Sequence, residues 1–300
     1  MRSALLGLAI ITLAAGASAH AGPSADLERL GRAIAERPSD PALRLERASV
    51  LRRLGRLGQA ARELQTVERL EPTSRALYLE RAQLWRDRGD AKRALLDLDR
   101  YSSSGAPSVL ALRTRAELLL ALRRPEEAWR DYDRAVALAP SPELILARGQ
   151  LDEQRGNLER AARGYLDGLE RAHGAVVIRL ALIRVERARG QLDSALTHAS
   201  ALVASAGVRA EYLLLRAEIH EQAGRPGPAR ADRSSALAEL DVVLRARSTA
   251  LHHTARARAL AALARRDEAL RAARHALRLS PKYEPARALV RELSSPEGGG

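Results

Sequence analysis

The chain contains no cysteine and no phenylalanine, a single methionine, two tryptophans and two lysines, Lys92 and Lys282. Without cysteine there is no disulfide, no thiolate nucleophile, no sulfur-ligated metal and no lipidated thiol. The remaining aromatics, six tyrosines and two tryptophans, cannot build an aromatic-rich core. Alanine, leucine and arginine dominate instead, the composition of a helix former whose helices approach closely over small side chains. With lysine so scarce, the net charge of +13 is almost entirely arginine. Acidic residues are interleaved throughout, so no single-sign block forms. Arginine reads first as a long polar helical residue, and only second as a surface for an acidic partner.

Recognisable chemistry is also missing. There is no glycine-rich phosphate loop, no dinucleotide fingerprint and no nucleophile motif. The acidic pairs Glu126-Glu127 and Asp267-Glu268 fall at helix starts, where negative charge complements the helix dipole. Adjacent His252 and His253 diverge on a helix, and His198, His220 and His275 lack a second ligand at a recognised spacing. No catalytic residue, metal, cofactor or small-molecule substrate is therefore expected. The aromatic residues fall in columns of apolar positions, which argues against the exposed stacking platforms of a single-strand binder.

The N-terminus carries a targeting pattern. Arg2 precedes an apolar run over residues 4–15, and Ala17-Ser18-Ala19 offers the small-x-small pattern of signal peptidase. The run is short for a membrane span, and no later segment is apolar enough for one. Residues 1–19 are expected to be a cleaved signal peptide, which places the mature protein in the periplasm or outside the cell.

What is present is a period. Ala60, Ala94 and Ala128 stand 34 apart, and so do Ala161, Ala195 and Ala229 after a step of 33. Gly55, Gly89, Gly156, Gly190 and Gly224 precede five of these alanines by the same five residues. A fixed period of this size marks one supersecondary unit copied along the chain. In the second copy an apolar stripe through Ala82, Leu84 and Trp85 ends at Gly89, and Ala94, Leu95, Leu98 and Tyr101 form the next. The spacing predicts a helix, a tight turn and an antiparallel helix. The step from Ala229 to Ala269 is 40, so extra residues near 240–247 either lengthen a helix or kink the stack.

These columns resemble the tetratricopeptide repeat. Tyr78, Ala82, Trp85, Gly89 and Ala94 match its pattern in the second copy, and Ala116, Ala128, Tyr132, Ala135 and Pro140 in the third. The fifth copy is degenerate, with Ile183 at the small position. The resemblance covers residues 41–281 as seven repeats. It implies an all-α, right-handed superhelical solenoid that binds a protein or peptide on the concave wall of its first helices. Capping helices are expected over 24–40 and 282–293, with a disordered tail over 294–300.

Two sets of residues are candidates for roles. Arg47, Arg81, Arg115, Arg148, Arg216 and Arg256 share one register, and sixteen residues on stand Glu63, Asp97, Asp131, Gly164, Asp232 and Ala272. Antiparallel helices bring such positions together, so Arg81–Asp97, Arg115–Asp131 and Arg216–Asp232 are expected to be structural ion pairs. The groove candidates, by phase, include Arg52, Arg53, Gln83, Arg86, Arg113, Glu117, Gln150, Arg184, Arg187 and Glu218, with Leu214 and Arg258 beside them. The working reading is an exported, non-catalytic scaffold for a protein or peptide. The alternative is a module for an anionic envelope polymer or nucleic acid.

Overall fold

The computed structural model describes residues 23–207 and 209–295. The expected signal peptide lies outside the described residues, as do residues 296–300 of the expected tail. The described residues form sixteen α-helices and no strand. A first helix, α1 (Pro23–Glu36), precedes α2 (Pro41–Arg53) and α3 (Leu57–Leu70), then α4 (Arg75–Asp87) and α5 (Ala91–Ser103). Next come α6 (Val109–Ala121), α7 (Pro125–Leu138), α8 (Pro142–Gln154), α9 (Leu158–Arg171), α10 (Val176–Ala188) and α11 (Leu192–Ser205). The chain continues through α12 (Ala210–Gln222), α13 (Pro226–Ala246), α14 (Ala250–Ala262), α15 (Arg266–Leu279) and α16 (Glu284–Ser294). Ser294 thus belongs to the last helix.

Local chemistry sets the helix ends. Asp40 Oδ1 accepts the Ala42 N–H at 3.0 Å, and Asp90 Oδ1 accepts that of Arg93 at 3.0 Å. Ser108, Ser141 and Thr249 cap α6, α8 and α14 in the same way, each satisfying a backbone donor the helix leaves free. First helices end in one recurrent turn. Gly89 takes φ 78°, and the Asp90 N–H reaches back to the Trp85 carbonyl at 2.9 Å. The third and seventh copies make the same turn without glycine. Arg123 and Ala264 each sit at φ 60°, while Arg124 and Arg265 close the bonds to Leu119 and Leu260.

The helices divide into two compact units, one ending at Ala128 and the other beginning at Trp129. In the first, α2 packs on α3 and α4, and α4 on α5. Its core includes Ala48, Leu51, Ala60, Leu64, Val67, Leu77 and Leu84. In the second, α8 packs on α9, α10 on α9 and α11, α12 on α13, and α14 on α15 and α16. The alanine ruler lies at the helix crossings: Ala60, Ala94, Ala128, Ala161, Ala195, Ala229 and Ala269 are all 0% exposed. The second unit tightens one crossing further. A Cβ on Gly149 would lie 2.3 Å from the ring of Tyr165, so only glycine leaves room for that ring. The extra residues of the sixth copy lengthen α13 to 21 residues, where the other second helices have 13 or 14.

Candidate peptide-binding groove

The arginine column is consumed inside the array. Arg81 donates through Nε and Nη2 to the two carboxylate oxygens of Asp97, both at 2.7 Å, and through Nη1 to Glu68 at 2.6 Å. Arg216 grips Asp232 at 2.8 and 2.7 Å and donates to Ser200 Oγ at 3.1 Å. Arg47 donates to Glu63 at 3.0 Å, and Arg115 to Asp99 at 3.4 Å. Asp131 is buried on α7.

Where the forward acid is missing, the guanidinium turns to the preceding second helix. Arg148 donates to Asp133 at 2.8 Å and to the Gly164 carbonyl at 3.3 Å, and Arg256 to Asp241 at 2.7 Å. Arg81 and Arg216 thus each tie the second helix of their own repeat to that of the one before. The hydrogen bonds it donates to Asp97 hold the Arg81 guanidinium above its ordinary pKa. In the fifth copy the column holds the buried Leu182. There His198 sits with Nδ1 3.5 Å from Arg179 Nη1, and burial followed by the Arg179 charge depresses its pKa.

Most groove candidates pair with one another along the first helices. Arg52 donates to Gln83 at 2.7 Å and to Asp87 at 2.9 Å, with Glu80 at 3.7 Å. Burial raises the Glu80 pKa against the opposing pull of Arg52. Arg86 holds Asp87 at 3.0 Å and approaches Glu117 at 3.8 Å, and Glu117 also lies 3.8 Å from Arg113. In the second unit Arg184 grips Glu153 at 3.1 and 2.8 Å, and Tyr165 Oη donates to the same carboxylate at 2.6 Å. Arg187 donates to Gln222 at 2.9 Å with Glu218 at 3.5 Å. Arg53 and Gln150 are exposed.

In the second unit the first-helix wall loosens after α10, since neither α10 and α12 nor α12 and α14 pack as closely as α8 and α10. Between α12 and α14 lies a groove of about 390 Å³, closed at one end by the start of α16. Leu214, Leu215, Leu251, Ala255, Tyr283 and Pro285 supply its apolar lining. Leu251 is 49% exposed. Glu211, Glu218 and Arg258 stand on the rim, and Arg258 has no carboxylate partner among the described residues. Arg233, at the groove edge, is held by Glu221 at 2.8 Å. Of the sequence candidates, Glu218, Leu214 and Arg258 are brought together here, with Glu218 also paired to Arg187, while the other ion-paired ones are not. Tyr283 and Pro285 escaped sequence reasoning because they sit outside the repeat register. Among the described residues no cluster of three His, Asp or Glu side chains is placed to hold a metal ion, and no helix is long and apolar enough to cross a membrane.

Paired helices, a small-residue crossing in every copy and a groove on the first helices define a helical-repeat protein. The particular fold is that of the tetratricopeptide repeat, as solved structures show. The C-terminal part of a tetratricopeptide-repeat-containing protein from Cytophaga hutchinsonii aligns over 82% of this chain and 99% of its own, with 14% identity and a TM-score of 0.60. A structure titled Naa15/Naa10 bound to HypK-THB aligns over 84% of this chain and 39% of its own, with 18% identity and a TM-score of 0.51. PilF of Pseudomonas aeruginosa aligns over 91% and 100%, with 14% identity and a TM-score of 0.50. No family model and no curated protein matches the sequence.

Proposed function

We propose that the chain is a non-catalytic scaffold that binds a protein or peptide segment in the groove between α12, α14 and α16. The observation that carries this reading is the groove itself: an apolar floor with an exposed, unpaired arginine on its rim. Few convergent polar groups around an apolar concavity suit an extended segment with an apolar anchor and a carboxylate. Elsewhere most charged first-helix candidates are engaged with neighbouring side chains, as Arg52, Arg86, Arg184 and Arg187 are. One neighbour of the same fold, the Naa15/Naa10 structure, is itself titled as a protein assembly. We further propose that the chain is exported, on the strength of the apolar run and the Ala17-Ser18-Ala19 site.

Peptide display against the mature protein tests the groove. Selected peptides should carry an apolar residue beside a carboxylate, and Leu251→Asp and Arg258→Glu should each weaken them about tenfold or more. No enrichment, or binding indifferent to both variants, would overturn the reading. So would polyphosphate binding with a steep salt dependence and no response to Leu251→Asp. For export, the N-terminal residue of the protein recovered from its cells should be His20; a chain retaining residues 1–19 in the cytoplasm refutes it.

A further inference from the structure

We propose that the cleft between α3 and α5, on the second-helix side of the first unit, is a separate docking site for an acidic peptide segment with an aromatic anchor. The cleft has a volume of about 500 Å³ and is floored by α4. Trp85, Leu96 and Ala61 line it, with Leu96 60% exposed.

The repeat itself shows what fills this position. Two periods after Ala61 the same register holds Trp129, and the register of Trp85 and Arg93 recurs at Asp152 and Arg160. In that later copy the Trp129 indole Nε1 donates to Asp152 Oδ2 at 3.0 Å, and the Arg160 guanidinium lies 4.4 Å from the ring centroid. An aromatic side chain therefore occupies the site under an arginine. In the first unit the equivalent arginine, Arg93, packs 4.8 Å from the Trp85 centroid. There the ring against the arginine comes from the first helix, as Trp85, while the second-helix position holds only Ala61 and the cleft beside it is open. Leu64, Leu84 and Leu96 make the surroundings aliphatic, which suits a protein side chain.

Charge selects the flanks of the occupant. The two acids of the cleft, Glu68 and Asp97, are both held by Arg81. Arg62 has no carboxylate partner among the described residues, and Arg88 donates to the Leu57 carbonyl alone. Arg93 and Arg100 lie 3.3 Å from Asp90 and 3.4 Å from Asp97 but stay 62% and 59% exposed. A peptide carboxylate on either side of the anchor meets an arginine, whose planar fork can take it with two hydrogen bonds. A nucleic acid would use the same charges but has no need of the leucines.

The test uses the full chain and three blocked peptides measured by calorimetry: Asp-Glu-Trp-Asp-Glu, its alanine-anchor version, and its lysine version in place of the acids. The first should bind, and the other two should be weaker by about tenfold or more. Ala61→Trp should fill the cleft as Trp129 does, leave the helical signal intact, and abolish binding. Leu96→Glu, on an exposed position, should weaken binding about tenfold and decides the matter if Ala61→Trp does not fold. In a Leu251→Asp background, which disables the other groove, the binding lost in Leu96→Glu should persist, which separates this proposal from the preceding one. Absence of binding at millimolar peptide overturns the proposal. So do equal binding of all three peptides, an unaltered affinity in Leu96→Glu, and competition by a short oligothymidylate at equal affinity.

Discussion

Gly149→Ala exposes the packing logic of the array, because two effects oppose each other at one atom. In an ordinary helix interior the change stabilises by about 1 kcal/mol, since alanine loses less backbone freedom than glycine. Every other copy but the fifth uses alanine at this position. Here the new Cβ would lie 2.3 Å from both Cε1 and Cζ of Tyr165, a residue 0% exposed with nowhere to retreat. Overpacking of this kind costs about 1–3 kcal/mol. Displacing the ring also breaks the 2.6 Å bond from its hydroxyl to Glu153, a charge-assisted bond of about 1.5–3 kcal/mol. Burial, then that hydrogen bond, keeps the phenol protonated, so the bond persists across the neutral range. The two costs exceed the gain, and a net loss of about 2–4 kcal/mol is expected. Urea unfolding followed by circular dichroism measures it. In a Tyr165→Leu background the clash is gone, and the same Gly149→Ala change should stabilise by about 1 kcal/mol. If Gly149→Ala alone is as stable as the parent, close approach does not explain the glycine and the reasoning fails.

Asp97→Ala should cost about 1.5–3 kcal/mol by removing the bidentate partner of Arg81 and leaving it Glu68 alone, while Glu68→Ala, at the exposed end of the same arginine, should cost about 0–1 kcal/mol; equal losses in urea unfolding would refute the staple. Arg123→Gly and Ala264→Gly should each stabilise by about 0.5–1 kcal/mol, because both residues hold φ 60°, and a fall in melting temperature would show the left-handed turn carries no strain. His198 has a folded-state pKa below its ordinary value, so the unfolded chain takes up the proton first. Its contribution is complete above about pH 6.5 and is lost as pH falls. The drop in melting temperature between about pH 7.5 and 5.5 should shrink in His198→Asn, and an unchanged drop assigns the acid sensitivity elsewhere.

The helical architecture was legible because its determinants are local and periodic. Small residues mark crossings, glycines mark turns, and a copy that lacks one signal is rescued by its neighbours in phase. The turn of the third copy shows the limit: nothing in Arg123 announces a left-handed residue, and only its register does. The Arg81 and Arg216 pairs were readable from a sixteen-residue spacing. Their second bonds, to Glu68 and Ser200, were not, because they join different repeats and obey no fixed spacing. The groove was half legible. Leu214, Glu218 and Arg258 lie in phase, while Leu251, Tyr283 and Pro285 depend on a longer α13 and on the placement of α16.

Departures from the repeat are of two kinds, and the difference bears on function. The core column of Leu51, Trp85 and Leu119 turns polar in the middle copies, as Asp152, Glu186 and His220. Two of these have gained a hydrogen-bond partner, Asp152 from Trp129 and Glu186 from Arg189 at 3.0 Å, while His220 lies 4.0 Å from Asp232 and its buried Nδ1 has none. A buried polar group with its partner in place is a closed structural account and leaves nothing over for chemistry. Ala61 and the added turns of α13 are different. Ala61 is a small side chain beside an open concavity flanked by arginine, and α13 borders another through Arg233. A repeat protein without surplus stability to waste keeps such gaps when something outside the chain fills them. Under the two proposals above, the departures beside open concavities, rather than the abundant arginine, are the positions assigned to partners.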